Sequence, residues 1–283
     1  TKARVHVADD DAKPHIGILT SGTTGPPKQF PLYYATIEQF FLASPLTKAQ
    51  SDDAAAAPPF LLYFPLGNVT GIYSTLPMLL RGQPLVLLER FSLAAWHDYV
   101  LRHRPSHAGL PPSAFQELLE ADVPPADLSS LLTLGTGAAP LDPVVQAAFE
   151  DRYNIPILLS YGATEFAGPV AMMTLDLHRQ WGREKLGSVG KALPGAELRI
   201  VDADSGDDVP AGEQGLLHVR VKRMGEHWIA TSDLGVIDAD GFLFLKGRAD
   251  GAIIRGGFKV LPETVERGIL QHPAIAEVAV VAV

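Results

Sequence analysis

A nine-residue segment near the start of the chain, Thr20 to Lys28 (TSGTTGPPK), combines hydroxyl side chains, glycines and a lysine. Glycine lets backbone N–H groups approach a ligand closely and lysine adds a positive charge, so such a loop suits the oxygens of a phosphate chain. The segment is not a Walker A loop, because Gly25 is followed by two prolines and no helix can open at the lysine. Taken alone it is more often an ordinary surface turn, and the rest of the sequence has to decide.

The composition of the 283-residue chain is that of a globular protein with a sizeable buried core, since 47% of the residues are hydrophobic and 19% are charged. A net charge of -9 argues against a nucleic-acid surface, which needs a clustered basic face. The absence of cysteine excludes disulfides and a thiolate nucleophile, and favours the cytoplasm. No apolar run reaches the roughly 18 residues of a membrane span, and the first residues have no signal-peptide pattern.

Short apolar runs alternate with amphipathic helical patterns from residue 15 to about residue 175, which predicts an α/β fold with a mainly parallel sheet covered by helices. The runs interpreted as buried strands are IGIL (16–19), FLLYF (60–64), PLVLLE (84–89), HAGL (107–110), LLTLG (131–135) and IPILLS (155–160). In such sheets ligands bind beyond the carboxyl ends of the strands. Three of the runs are followed by unusual loops, which we therefore expect at one edge: TSGTTGPPK, GTGAAP (135–140) and YGATE (161–165).

The pattern changes near residue 185 to shorter strands separated by Gly and Asp turns, which predicts a small antiparallel β subdomain. We expect an α/β subdomain over 1–184 and a β-barrel-like subdomain over 185–249. After them, 250–283 predicts a turn, a helix starting near Pro262 and a final apolar strand, the start of a C-terminal α+β domain.

Five motifs occur in a specific order: TSGTTGPPK, GTGAAP, YGATE, TSDLG (231–235) and GRADGAIIRGG (247–257). With these motifs the sequence resembles the adenylate-forming enzymes, in particular acyl- and aryl-CoA synthetases, from about Ile16 to its end. The resemblance implies that a carboxylic acid attacks ATP in the presence of Mg²⁺, giving an acyl-adenylate and pyrophosphate, and that coenzyme A then displaces AMP. Neither step needs a nucleophile from the protein, in agreement with the missing cysteine.

The resemblance assigns roles around the phosphates and the metal. The β- and γ-phosphates would lie in the first motif, against Lys28 together with Thr20, Ser21, Gly22, Thr23, Thr24 and Gly25. Thr164 would offer a hydroxyl to the α-phosphate. Glu165 would bind Mg²⁺, which prefers hard oxygen ligands. We expect Lys28, Thr164 and Glu165 to be the catalytic residues.

The nucleoside is assigned to three of the motifs. Tyr161, followed by Gly162, would present an aromatic face to adenine, and the other side of the base would lie against Gly137, Ala138, Ala139 and Pro140. Asp233 would accept hydrogen bonds from the ribose hydroxyls, since a carboxylate accepts two donors at once. Arg248 would add a cationic donor to the ribose or phosphate.

The resemblance also implies a hinge, a channel and an acyl pocket. Asp250 corresponds to the hinge of a rotating C-terminal domain, and Gly256 and Gly257 would line the pantetheine channel. We expect the acyl pocket among Asn68, Val69, Leu110, Gly135 and Phe166. Asn68 stands where the family places a His or another aromatic residue, and no acidic residue lies between Phe60 and Arg81 to pair with an amino group. An apolar aryl or alkyl acid is therefore expected, and an α-amino acid is disfavoured.

Three readings of the acceptor and of the chain stay open. The acyl group passes to coenzyme A, or instead to the thiol of a carrier protein, or the chain is a noncatalytic module that binds a nucleotide or an acyl group. The resemblance implies a longer parent, because few residues precede Thr20 and the chain ends before the adenylation lysine of the family. The retained Lys28, Glu165 and Asp250 favour an enzyme, since a binding module has no use for a hinge.

Overall fold

The computed structural model describes residues 13–20, 28–42, 57–249, 251, 253–255, 258–260, 262–272, 274–275 and 277–281. The chain forms two compact units, residues 1–90 and 91–283.

The first unit contains a β-hairpin and a βαβ element. Strands β1 (His15–Thr20) and β2 (Lys28–Tyr33) pair antiparallel, and a short helix α1 (Tyr34–Thr36) and a π-helical turn (Ile37–Leu42) follow. Strands β3 (Phe60–Leu62) and β4 (Leu85–Leu87) pair in parallel and are connected by helix α2 (Val69–Leu80). The N-terminus of α2 is capped by Asn68, whose Oδ1 accepts a hydrogen bond of 2.7 Å from the N–H of Gly71.

The position of the IGIL run corrects one expectation. The run does form a strand, but β1 belongs to the antiparallel hairpin and not to a parallel sheet. Only seven residues separate Thr20 from Lys28, and a parallel return needs a crossover of about a dozen residues or more. The strand is also two-faced, since Ile18 is buried while Leu19 is 68% exposed.

The second unit is built on a five-stranded mixed sheet with the order β5-β6-β7-β8-β9. Its strands are β5 (His107–Gly109), β6 (Thr133–Thr136), β7 (Ile157–Ala163), β8 (Gly168–Met172) and β9 (Lys191–Ala192). The first three are parallel, as the alternating pattern predicts, and the last two join antiparallel. Between residues 91 and 191 the helices are α3 (Leu93–His103), α4 (Ser113–Glu120), α5 (Pro143–Tyr153) and α6 (Leu175–Trp181), and a 3₁₀ turn (Pro125–Leu128) precedes β6.

Local capping signals explain where the crossover helix α5 begins and ends. Asp142 accepts a hydrogen bond of 2.7 Å from the N–H of Val144, and Pro143 occupies the first helical position, where a missing N–H costs nothing. The helix ends at Asn154, which adopts the left-handed conformation that short polar residues tolerate.

The core of this unit is aromatic and aliphatic. Fully buried side chains include Trp96, Phe115, Leu128, Leu134 and Phe149. The rings of Phe115 and Phe149 meet edge to face at 5.1 Å, an arrangement that the ring quadrupoles favour. The indole N–H of Trp96 donates to the carbonyl of Gly109 at 3.1 Å, so α3 is tied to the end of β5.

The chain after residue 195 forms an antiparallel meander. Its strands are β10 (Ala196–Val201), β11 (Gln214–Val221), β12 (Ile229–Ile237) and β13 (Leu243–Arg248), paired in that order. Within the described residues β10 and β13 are the edges, so the four strands form an open sheet and not a closed barrel; four strands are too few to enclose a barrel core.

The end of the chain contains strands β14 (Ile253–Arg255) and β15 (Phe258–Val260) and helix α7 (Pro262–Leu270). The helix begins at the predicted proline. The described residues 277–281 lie outside any strand, whereas a final strand was expected there. Over the described parts of the chain, none of the helices is both long and apolar enough to cross a bilayer.

The backbone around Gly190, just before β9, is packed so closely that a side chain does not fit there. Its φ is +83°, and a Cβ atom there would lie 2.0 Å from the carbonyl oxygen of Met172. Gly212 has a similar φ of +91° with open space around it. Gly190→Ala should therefore lower the free energy of unfolding by more than about 3 kcal/mol, and Gly212→Ala by only about 1 kcal/mol, the cost of a left-handed alanine. Urea denaturation of both variants measures the difference, and equal losses would contradict the predicted clash.

Candidate active site

The GTGAAP loop follows β6, at the carboxyl end of the parallel strands. A Cβ atom on Gly137 would lie 2.7 Å from Oγ and 2.9 Å from the carbonyl oxygen of Ser160, so only glycine lets this turn approach β7 so closely. The next residue, Ala138, has a φ of +68°, and Ala138, Ala139 and Pro140 are exposed. The loop therefore presents small side chains and backbone to the outside, a surface that a flat ring could approach.

Three hydrogen bonds fix the base of this loop. Oγ1 of Thr136 donates to the carbonyl of Leu110 at 2.8 Å, and the N–H of Leu110 donates to the carbonyl of Gly135 at 3.1 Å. Oγ of Ser160 donates to the carbonyl of Thr136 at 3.2 Å. The end of β6 is thus held from both neighbouring strands.

Tyr161 and Asp233 connect the mixed sheet to the antiparallel meander. Tyr161 lies on β7, Asp233 lies on β12, and the phenolic hydroxyl donates a hydrogen bond to Oδ2 of Asp233. The backbone N–H of Asp233 donates to Oγ1 of Thr231 at 3.0 Å, and that hydroxyl donates to the carbonyl of Leu217 at 2.7 Å. The carboxylate is therefore held in place, and its second oxygen can accept a ligand's hydroxyl.

Electrostatics keep Tyr161 neutral. Only 8% of the residue is exposed, and burial, followed by the nearby Asp233 carboxylate, raises the pKa of its phenol well above the usual range of tyrosine. A neutral phenol keeps the proton that it donates to Asp233. The contact is thus a hydrogen bond to an ionised acceptor, a strong type of protein hydrogen bond.

A 3₁₀ turn (Thr164–Phe166) continues directly from β7. Glu165 is exposed, and among the described residues no hydrogen bond or ion pair engages its carboxylate. Thr164 is partly exposed, while Phe166 is buried with its ring 6.0 Å from that of Tyr161. The turn thus buries its aromatic residue and presents a hydroxyl and an exposed carboxylate next to it.

Arg248 lies directly opposite Asp233 on the neighbouring strand, since the two residues are register partners in β13 and β12. Its Nη2 donates to Oγ of Ser232 at 2.6 Å, and its side chain is exposed. The structure thus brings together four motif residues predicted from sequence: Tyr161, Glu165, Asp233 and Arg248.

Gly162 is a second point of close approach. A Cβ atom there would lie 2.6 Å from the carbonyl oxygen of Gly168, on the strand that returns antiparallel to β7. The register of this pair shifts between Tyr161 and Gly162. The irregularity re-aims the chain immediately before the 3₁₀ turn.

An open depression of about 450 Å³ borders the GTGAAP loop. Its lining is mainly apolar and includes Pro111 and Pro112 on one side and Ala139 and Pro140 on the other. Asp142 also lines it, but that carboxylate caps α5. The depression offers shape and apolar contact, and the exposed polar groups of the site belong to the 3₁₀ turn and the meander.

The remaining predicted residues fall into two groups. Thr20 and Lys28 are register partners, as the last residue of β1 and the first of β2. Asn68 caps α2 and Val69 is its first residue, and all four belong to the first unit. Several predicted residues lie outside the described residues: Ser21, Gly22, Thr23, Thr24, Gly25, Asp250, Gly256 and Gly257.

Sequence reasoning missed three residues that support the site. Ser160 directly precedes the YGATE motif, and Thr231 and Ser232 are the first two residues of TSDLG. Their position beside or within these motifs is the sequence signal that could have identified them. Their hydroxyls bond to backbone and neighbouring side chains. They position the functional groups and present no charge of their own.

The residues also fit a magnesium ion held together with phosphate. No group of three or more His, Cys, Asp or Glu side chains in the described part of the chain could hold a metal ion by itself. Mg²⁺ typically uses one or two carboxylates and takes its other ligands from phosphate oxygens and water. The carboxylate of Glu165, which no hydrogen bond or ion pair engages within the described part of the chain, meets that requirement.

Replacing Tyr161 by Phe should change stability at alkaline pH. The unfolded chain releases the phenolic proton above about pH 10, while folded Tyr161 retains it, so the free energy of unfolding of the wild type falls as pH rises through this range. Urea denaturation between about pH 8 and about pH 11 should show a shallower fall for Tyr161→Phe. Tyr34→Phe, at a tyrosine that is 56% exposed, is the control and should keep the wild-type slope. Identical slopes for all three proteins would refute the assignment.

Comparison with known proteins identifies relatives of this arrangement. Residues 3–226 match the family model described as AMP-binding enzyme. A 4-coumarate–CoA ligase of Oryza sativa is 30% identical over 281 residues, which cover 93% of this chain and 50% of that protein. The chain therefore spans about half the length of the curated relatives it matches.

Solved structures show the same fold. The o-succinylbenzoate CoA synthetase of Bacillus subtilis, solved with its acyl-adenylate intermediate, matches with a TM-score of 0.76 and 26% identity over 93% of this chain and 55% of that one. The same enzyme has been solved with ATP and a magnesium ion. An amide bond synthetase of Marinactinospora thermotolerans matches with a TM-score of 0.67 and 32% identity, over 94% of this chain and 55% of that one.

Proposed function

Because this chain belongs to the AMP-binding enzyme family, we propose that it activates a carboxylic acid with ATP and transfers the acyl group to coenzyme A. The observation that carries the proposal is the meeting of separate motifs at one site: Tyr161 bonds Asp233, Arg248 lies opposite Asp233, and the turn that follows Tyr161's strand presents Thr164 and Glu165. The arrangement offers an aromatic ring, a ribose acceptor and a metal ligand within one site.

Different residues of the site bind different parts of the nucleotide. Adenine lies between Tyr161 and the small residues of the GTGAAP loop, and the ribose hydroxyls donate to Asp233 with Arg248 nearby. Thr164 faces the α-phosphate, and Lys28 with the rest of the first motif holds the β- and γ-phosphates. Glu165 would hold Mg²⁺, which would supply positive charge against the phosphate oxygens.

The reaction then needs positioning more than chemistry from side chains. A carboxylate oxygen of the acid attacks the α-phosphorus, the bond to pyrophosphate breaks, and the acyl-adenylate remains. In the second step a thiol sulfur attacks the acyl carbon and AMP leaves. The protein contributes orientation and charge stabilisation to both steps.

The acid is an apolar aryl or alkyl acid. Two features support this class: the absence of acidic residues between Phe60 and Arg81, and relatives that are named for 4-coumarate and 2-succinylbenzoate. The expected lining is formed by Asn68, Val69, Leu110, Gly135 and Phe166. Asn68 has a structural role as well, since it caps α2.

The three-part division at residues 184 and 249, with a hinge at Asp250 and a pantetheine channel at Gly256 and Gly257, belongs to this proposal. Rotation of a small domain about roughly two or three backbone torsions would separate the adenylation state from the thioester state.

Two other acceptors are alternatives. A carrier-protein thiol would accept the acyl group by the same chemistry as coenzyme A. An amine is considered as an acceptor because the chain is 32% identical to an amide bond synthetase. In both cases the first half-reaction is unchanged.

Pyrophosphate release tests the proposed function. The protein is incubated with ATP, Mg²⁺ and a panel of aryl and alkyl acids, and the products are then analysed after addition of coenzyme A, a phosphopantetheinylated carrier protein or a primary amine. Acid-dependent release and an acyl-CoA product are expected. Pyrophosphate release with a thioester on the carrier protein, or with an amide product, would show that the acceptor is the carrier protein or the amine and not coenzyme A. Nucleotide binding without pyrophosphate release for any acid would favour the noncatalytic module.

Glu165→Gln should weaken the metal dependence of adenylation. Removing the charge while keeping the shape should raise the half-saturating Mg²⁺ concentration for pyrophosphate release about tenfold, which corresponds to about 1.4 kcal/mol. Glu117→Gln, at an exposed glutamate of α4, is the matched control and should behave as the wild type. An unchanged Mg²⁺ titration of Glu165→Gln would exclude Glu165 as a ligand.

A further inference from the structure

Arg223 holds the turn that carries Thr164 and Glu165. Its Nε donates to the carbonyl oxygen of Phe166 at 2.5 Å, and its Nη2 donates to the carbonyl oxygen of Pro169, also at 2.5 Å. The arginine lies 57 and 54 residues further along the chain from these two carbonyls. The two donors are adjacent on one rigid planar group, so the distance between the carbonyls is fixed by the shape of the guanidinium.

The clamped segment needs such support. Between the two carbonyls lie Ala167, with a φ of +52°, and Gly168, with a φ of +125°. A left-handed alanine is strained and persists only when its surroundings hold it. The N–H of Ala167 donates to the carbonyl of Thr164 at 2.9 Å, so the strained residue is bonded directly to the 3₁₀ turn. Arg223 therefore bridges the corner through which the 3₁₀ turn returns into β8.

The other end of the clamp is also anchored. Arg223 lies in a 3₁₀ turn (Lys222–Met224) at the end of β11. The N–H of Lys222 donates to the carbonyl of Gly195 at 3.0 Å, and Gly225 closes the turn with a φ of +103°, a conformation that suits glycine. The arginine thus connects the antiparallel meander to the turn of the mixed sheet, independently of the contact between Tyr161 and Asp233.

We propose that Arg223 is a positioning residue for adenylation, which fixes the approach of Thr164 and Glu165 to the α-phosphate and its metal. This role rests on the proposed function. The two bonds described above tie Arg223 to backbone carbonyls beside the 3₁₀ turn. Its loss should therefore affect the phosphate and metal step and spare the binding of adenine and ribose. A 1 Å misplacement of reacting groups can cost about a hundredfold in rate.

The test compares Arg223→Met and Arg223→Lys with Lys222→Met, in which an exposed charge on the same turn is removed without touching the clamp. In Arg223→Met, the kcat of pyrophosphate release should fall at least tenfold and the half-saturating Mg²⁺ concentration should rise at least threefold, while the KM for ATP stays within twofold of the wild type. Conversion of pre-formed acyl-adenylate to the thioester should be unchanged. Arg223→Lys keeps the positive charge and the aliphatic part of the side chain but loses the two adjacent N–H donors. We therefore expect the same fall in kcat and the same rise in half-saturating Mg²⁺ concentration, with an unchanged KM for ATP.

Chemical rescue separates positioning from general destabilisation. In Arg223→Ala, added methylguanidinium should restore at least a third of the lost kcat, whereas methylammonium, which has no planar fork, should not. Kinetics of Arg223→Met equal to those of Lys222→Met, or equal losses in both half-reactions without rescue, would overturn the positioning role. A wild type that releases no pyrophosphate with any acid would instead overturn the proposed function and the positioning role together.

Discussion

The hydrogen bond between Tyr161 and Asp233 is the contact on which the candidate site depends. It joins β7 of the mixed sheet to β12 of the meander, and it involves a buried phenol and an ionised carboxylate. Burial makes an unpaired polar group costly and a paired one strong. The contact therefore orients Asp233 and at the same time fixes how the two sheets of the second unit approach each other at the site.

Glycine and strained backbone determine how closely the site's loops can approach the strands. Gly137 and Gly162 lie where a single Cβ atom would collide with backbone atoms of a neighbouring strand. Ala138 and Ala167 have positive φ angles that alanine adopts only when held. These positions lie immediately beside the exposed loop and the 3₁₀ turn, so the strain is concentrated where a ligand is proposed to bind and is supported by hydrogen bonds from Ser160 and Arg223.

The polar groups of the site are held in place by hydrogen bonds to supporting residues. Asp233 is held by Tyr161 and Thr231, Arg248 bonds Ser232, and the 3₁₀ turn is held by Arg223. Glu165 alone among these groups presents a carboxylate without a bond to another described residue. Such an arrangement suits a reaction in which the protein supplies fixed charges and orientation, because a preorganised donor costs no reorganisation when charge develops.

The sequence by itself determined the elements, the order of the motifs and the family. Alternating apolar and amphipathic runs predicted the parallel strands β5, β6 and β7, since periodicity and caps act over a few neighbouring residues. The same local rules placed IGIL in the wrong sheet, although the seven-residue connection was a sign of a hairpin. Only the tertiary structure decided which groups meet: Tyr161 and Asp233 are 72 residues apart, and Arg223 had no motif to mark it. Contacts over such separations follow from how whole sheets pack, which no local pattern encodes.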